Sequence, residues 1–121
     1  IRVDDRDQEK MLMLTVSIGR SLGGAFRIAP RASIVDGLLD VSYFVDGGTG
    51  MRLRAFLGAI KGTHSNLSSV RVEQRDSLAL EFGTAPLMEL DGELRRASST
   101  TLIIKCVPRA LSVITAPNAV L

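Results

Sequence analysis

Apolar and polar residues alternate with a period of two through most of this chain, and that alternation predicts strands. Leu12, Leu14, Val16 and Ile18 fall on one face and Met13, Thr15 and Ser17 on the other, which suits a strand of about eight residues with one buried side. Leu39, Val41, Tyr43 and Val45 repeat the pattern around Asp40 and Ser42. It continues in Val70 and Val72, in Leu78, Leu80 and Phe82, in Leu102, Ile104 and Cys106, and in a last run from Leu111 to Ile114. Turn signals separate these runs: Gly23-Gly24, Asp36-Gly37, Gly47-Gly48, Gly83 to Pro86, and Asp91-Gly92. Short strands at this spacing predict a mainly β domain, a sandwich or a barrel.

One segment changes period. Leu53, Phe56, Leu57 and Ile60 follow i, i+3, i+4, i+7, which predicts a single short helix over about residues 51–61. Thr49 or Asp46 is available to cap it and Gly62 to stop it. A doubly wound α/β fold needs helices between most strands, and one helix does not supply them.

With 121 residues the chain holds one domain, 1–121, and a chain of this size removes roughly two-thirds of its unfolded surface from water. The hydrophobic fraction of 45% supports such a core. Fifteen basic side chains oppose 13 acidic ones, a net charge of +2, which by itself gives no argument for nucleic acid. Aromatic residues are 4% and Trp is absent, so the stacking platforms of single-strand or sugar binders are hardly available. A lone Cys106 excludes an internal disulfide framework and a lone His64 argues against a histidine-built zinc site, so any metal here is a hard ion on oxygens. No run approaches the roughly 18 apolar residues of a membrane span, and the start, Ile1-Arg2-Val3-Asp4-Asp5, lacks the regions of a signal peptide. A cytoplasmic protein is expected, and the start without Met suggests a piece of a longer polypeptide.

Four segments offer chemistry. Gly19 to Gly24 is glycine-rich after a strand, but no Gly-Lys-Ser/Thr and no G-x-G-x-x-G is met, so a tight turn is the better reading than a phosphate cradle. In Ser33-Ile34-Val35-Asp36-Gly37-Leu38, a carboxylate beside a glycine turn can gather carbonyls around a cation such as magnesium; the plain reading is Asp36 bonding its own backbone. Glu89, Asp91 and Glu93 are spaced by two. If the strand continues they share a face, where mutual repulsion raises the proton affinity of at least one and makes a base or a metal ligand. Against this, Asp-Gly is a favoured hairpin turn and acidic residues on a solvated face need no role. His64 has no nucleophile pattern beside it, so a surface or capping role is expected; Cys106 reads as a small core residue, and Arg95 and Arg96 as solvated charge.

Taken together, several segments add to this reading. Gly23-Gly24-Ala25-Phe26-Arg27-Ile28-Ala29-Pro30, the run ASIVDGLLD from Ala32 to Asp40, Gly62-Thr63-His64, Leu90-Asp91-Gly92-Glu93 and Val107-Pro108-Arg109-Ala110-Leu111 occur in that order. In this combination the chain resembles the C-terminal domain of the bacterial diacylglycerol kinase and sphingosine kinase-like lipid kinases, related to NAD kinases. The resemblance implies a two-sheet β-sandwich, the second domain of a catalytic unit whose N-terminal domain, with its Gly-Gly-Asp-Gly-Thr-type loop, binds most of the ATP. No such loop occurs here, so this fragment by itself is expected to fold without kinase activity. Ala25 stands where the family usually has a third glycine. By the same resemblance, Glu93 falls on the proton-accepting position with Asp91 beside it, and Asp36 with the backbone oxygens of Ser33 and Leu38 falls on a structural magnesium site. The implied partners are a lipid alcohol, ATP with magnesium, and a membrane surface touched peripherally; no nucleic acid is implied and homodimerisation stays open. The competing expectation is a non-catalytic β-sandwich that binds a ligand or partner and keeps its carboxylates as surface charge.

Overall fold

The computed structural model describes residues 1–112 and Ile114. The strands are β1 (Arg2–Val3), β2 (Met11–Ser17), β3 (Leu39–Val45), β4 (Val70–Arg75), β5 (Ser77–Glu81), β6 (Leu87–Leu90), β7 (Glu93–Arg96) and β8 (Thr101–Lys105), and α1 spans Thr49–Lys61. All pairings are antiparallel, in three sheets of order β2-β3-β4, β1-β5-β8 and β6-β7. The mainly β sandwich-like domain with one helix is thus as the sequence pattern predicts.

Strand β3 is the centre. Six of its seven residues are buried, and its two faces belong to two different cores. Leu39, Val41 and Tyr43 face the sheet β1-β5-β8 and pack with Val3, Leu78 and Leu80, while Leu14, Val16, Leu102, Ile104 and Cys106 close the margins. Full burial of such aliphatic side chains stabilises by about 1.5–3 kcal/mol each. The alternation in the sequence marked this face, and Cys106 packs against it as a small apolar residue.

The other face carries Phe44, covered by α1 and by the loop that precedes β3. Its core is built of Ile28, Ala29, Ala32, Ala55, Ala59 and Val70. Small residues let the helix approach closely: a Cβ on Gly58 would come within 3.0 Å of the His64 Cα. An amphipathic helix ordinarily buries its apolar stripe. Here Leu53, Phe56, Leu57 and Ile60 are all exposed, and the buried Ala55, Gly58 and Ala59 lie on roughly the opposite side at 100° per residue.

The helix begins at Thr49, two residues before the expected start. Its N-cap is Gly48, with no side-chain capping bond, so neither Thr49 nor Asp46 caps it. Asp46 is instead held by Arg52 at 2.8 Å and Lys10 at 3.2 Å, which lowers its carboxyl pKa. Gly62 does stop the helix, with a left-handed φ of 71° and its N–H donating to Ala59 O.

Elsewhere the pattern needs correction. Met11 pairs with Val45 and Met13 with Phe44, so Leu12 is bulged out of the β2–β3 ladder and lies exposed, as does Ile18 beyond the strand end. Leu111, Ser112 and Ile114 of the last apolar run lie outside any strand, and Val113 is outside the described residues.

Candidate active site

Leu90-Asp91-Gly92-Glu93 forms a hairpin rather than a continuing strand. Asp91 and Gly92 take φ values of 50° and 91°, the left-handed pair that a two-residue hairpin turn requires. Leu90 pairs with Glu93, and Glu89 with Leu94. Directly opposed residues share a face, so Glu93 projects with Leu90 while Glu89 projects on the other side. The expected single face of three carboxylates is therefore wrong: the turn removes Asp91 from the alternation and reverses the chain before Glu93. Glu93 is exposed and pairs with Arg95, two residues on along the same face. Arg96 is also exposed, and its guanidinium reaches Ala85 O at 3.4 Å. The hairpin pairs only with itself among the described residues.

The Asp36 segment makes the turn that the plain reading describes. Asp36 Oδ1 accepts from the Leu38 N–H at 2.9 Å, and Ser33 Oγ from the Val35 N–H at 3.5 Å. Gln74 Nε2 donates to Asp36 Oδ2 at 3.3 Å and to Asp40 Oδ2 at 3.4 Å, bridging two carboxylates. Burial pushes the Asp40 carboxyl pKa up, Gln74 opposes the rise and the nearby Asp36 charge adds to it. No group of three His, Cys, Asp or Glu side chains converges among the described residues. Both carboxylate oxygens of Asp36 are thus engaged, one by the Leu38 N–H and one by Gln74.

A third feature was not visible as a site in the sequence. Between β2 and α1 opens a cavity of about 560 Å³, lined by Leu12, Met13, Leu22, Phe26, Phe44 and Phe56 among others, with Arg52 the charged side chain at its wall. That volume falls within the ordinary range of small-molecule sites. The Phe26 and Phe56 rings meet edge to face at 5.5 Å. Residues of the Gly19–Gly24 segment shape this wall rather than a phosphate cradle: Leu22 and Phe26 exchange hydrogen bonds of 2.8 and 3.2 Å across a turn in which Gly23 and Gly24 take positive φ. Ala25 lies outside the left-handed region, so the third glycine is not required by this backbone. A signal for the cavity did exist. Met13 breaks the polar side of the β2 alternation, making that strand apolar on both faces.

His64 corrects another expectation, because it is at 0% exposure and not at the surface. Its Nε2–H donates to Ile28 O at 2.9 Å, and its ring stacks on Phe44 at 5.6 Å and 19°. Ser42 Oγ reaches the same carbonyl at 3.4 Å. These bonds tie the loop before β3 to the central sheet and so fix the back wall of the cavity.

The fold and this site define a β-sandwich-like domain with a lateral helix and an apolar cavity beneath it. The model of the YegS C-terminal NAD kinase beta sandwich-like domain matches residues 1–115. The chain belongs to that family, and is thereby a domain of a lipid kinase of the NAD kinase-like group. A search of curated proteins gave no match. No helix among the described residues is long and apolar enough to cross a membrane.

Proposed function

We propose that this domain serves an ATP-dependent kinase that phosphorylates the hydroxyl of a lipid of diacylglycerol or sphingoid-base type. The observation that carries this reading is the 560 Å³ cavity between β2 and α1, roomy enough for a hydrocarbon chain and lined by apolar side chains apart from Arg52. In the reaction the lipid hydroxyl oxygen attacks the γ-phosphorus of ATP, the bond from that phosphorus to the ADP oxygen breaks, and the hydroxyl proton passes to Glu93. A carboxylate at the end of a short exposed hairpin can meet a second domain across a cleft, and Asp91 sets the turn that aims it. Until the substrate arrives, Arg95 orients Glu93 through the hydrogen bond between them. Most of the ATP contact belongs to a partner nucleotide domain. Asp36, with the carbonyl oxygens of Ser33 and Leu38, would hold a structural magnesium ion, whose charge would fasten the turn to β3.

The test is Glu93→Gln in the full-length protein, assayed by single-turnover phosphoryl transfer to a panel of lipid alcohols. Transfer falls by about two to four orders of magnitude, the usual worth of a general base, while melting temperature and substrate binding stay at the parent values. Transfer at the parent rate would leave the carboxylate as surface charge and favour a non-catalytic binding domain. A smaller check addresses the metal: magnesium raises the parent melting temperature and Asp36→Ala abolishes the rise; an equal rise in both would remove the site.

A further inference from the structure

Directly opposed residues of the β6–β7 hairpin share a face, so Met88, Leu90, Glu93 and Arg95 lie on one side and Glu89, Leu94 and Arg96 on the other. Arg95 is therefore the hairpin cation on the face of Glu93, and Arg96, its neighbour in sequence, stands on the opposite face. The Arg95 guanidinium donates to Glu93 Oε2 twice, through Nε at 3.1 Å and through Nη2, so Oε1 is the oxygen left for a substrate hydroxyl. Both side chains are open to water, at 60% and 68% exposure. An ion pair this exposed is worth about fivefold or less in an equilibrium. A guanidinium that only holds a base gains little there, and one that must change partners loses little.

We propose that Arg95 leaves Glu93 when the nucleotide arrives and clamps the γ-phosphoryl group during transfer. This role rests on the reading of Glu93 as the base, and the distances of that reaction then set where the phosphate must be. A hydroxyl that gives its proton to Glu93 lies about 2.6–3.2 Å from a carboxylate oxygen, and the phosphorus it attacks lies about 3–3.5 Å from the hydroxyl, so the transferring group is within about 7 Å of the carboxylate that Arg95 already touches. That is inside the swing of one arginine side chain. The group in flight spreads its negative charge over three oxygens, and the planar fork of a guanidinium matches two of them. In the step, the bond from the lipid oxygen to phosphorus forms, the bond from phosphorus to the ADP oxygen breaks, and the hydroxyl proton goes to Glu93 Oε1. Arg95 stays protonated throughout and gives only hydrogen bonds. One side chain thus positions the base beforehand and neutralises the phosphate afterwards.

The experiment uses the full-length protein and the lipid alcohol that it phosphorylates fastest. Arg95→Ala lowers single-turnover transfer by about a thousandfold, the lower end of what an arginine on a transferring phosphate is worth, while the melting temperature stays at the parent value because the side chain is exposed. Arg95→Lys recovers part of the loss by keeping the charge without the fork. Arg96→Ala, on the other face, keeps the parent rate. The deciding measurement does not read turnover: it is the affinity of Glu93→Gln for ADP with magnesium and aluminium fluoride, a mimic of the phosphoryl group in flight, with and without Arg95→Ala. The added substitution weakens binding of the mimic at least about tenfold, the worth of one hydrogen bond to a charged group, and leaves binding of ADP alone unchanged. An arginine that serves only to orient Glu93 has nothing left to do in that background. Equal affinity for the mimic would therefore overturn the proposal, as would parent-rate transfer by Arg95→Ala or an Arg96→Ala as slow as Arg95→Ala. Failure of the underlying reading looks different: a parent that phosphorylates no lipid alcohol, or a Glu93→Gln at the parent rate, removes the base and the clamp together, whereas a silent Arg95 beside an essential Glu93 removes only the clamp.

Discussion

The two faces of β3 are closed in opposite ways. One is covered by a second sheet through large side chains, Val3, Leu39, Val41, Tyr43, Leu78 and Leu80, all nearly inaccessible. The other is covered by a helix through Ala55, Gly58 and Ala59 and by the loop before β3 through Ala29 and Ala32, and the large side chains of that helix point away. Interdigitated large residues fill the space between layers, whereas a helix resting on alanines leaves a gap wherever the contact ends. The first arrangement holds the fold together; the second leaves room for a ligand next to a rigid sheet.

Substitutions on the two faces should therefore separate stability from function. Leu80→Ala is expected to cost about 2–5 kcal/mol in denaturant unfolding, because the cavity it leaves sits between two strands that cannot close on it. Leu53→Ala on the outward stripe should stay within about 0.5 kcal/mol. Comparable losses at the two positions would mean that the stripe is covered and the contrast is false. Phe56→Ala comes next: it removes one wall of the cavity and one edge-to-face contact, so stability falls by about 1 kcal/mol while KM for the lipid alcohol rises and kcat holds. A change confined to kcat would place Phe56 outside the binding wall.

The smallest effect concerns pH. Glu73 within β4 is held by Arg6 through paired bonds of 2.6 and 2.8 Å, which lowers its carboxyl pKa against an opposing effect of burial. A carboxyl whose folded pKa is depressed contributes stability above its unfolded pKa and loses it as pH falls through the folded value. The parent should thus lose stability more steeply than Glu73→Gln on acidification below about pH 5, by about 1 kcal/mol or less after solvent screening. Parallel acid profiles would show that the pair adds nothing to the first face.

The strands were readable because period two is a property of neighbours along the chain. Leu39, Val41 and Tyr43 announce a buried face, and Leu78 and Leu80 announce its opposite number. Which side of α1 packs was not readable. A spacing of 3.6 shows that Leu53, Phe56, Leu57 and Ile60 share a stripe, yet the stripe that binds the sheet is chosen by how near the backbones can come, and Ala55, Gly58 and Ala59 allow the closer approach. Likewise Asp91-Gly92 carried two incompatible readings, and only pairing of Leu90 with Glu93 decides between them. His64 looked like a surface residue because its partner, the Ile28 carbonyl, lies 36 positions away.

The short edge strand β1 has an effect on timing. Arg2 and Val3 pair with Glu81 and Leu80, nearly 80 positions further along the chain, and Val3 is among the most deeply buried residues. During synthesis the beginning of this domain must therefore wait, unplaced, until β5 has left the ribosome, whereas β2, β3, α1 and β4 can assemble on neighbours already present. The helix layer with its cavity can form before the sandwich is shut, so the half of the domain that holds the cavity can be born before the half that keeps it stable.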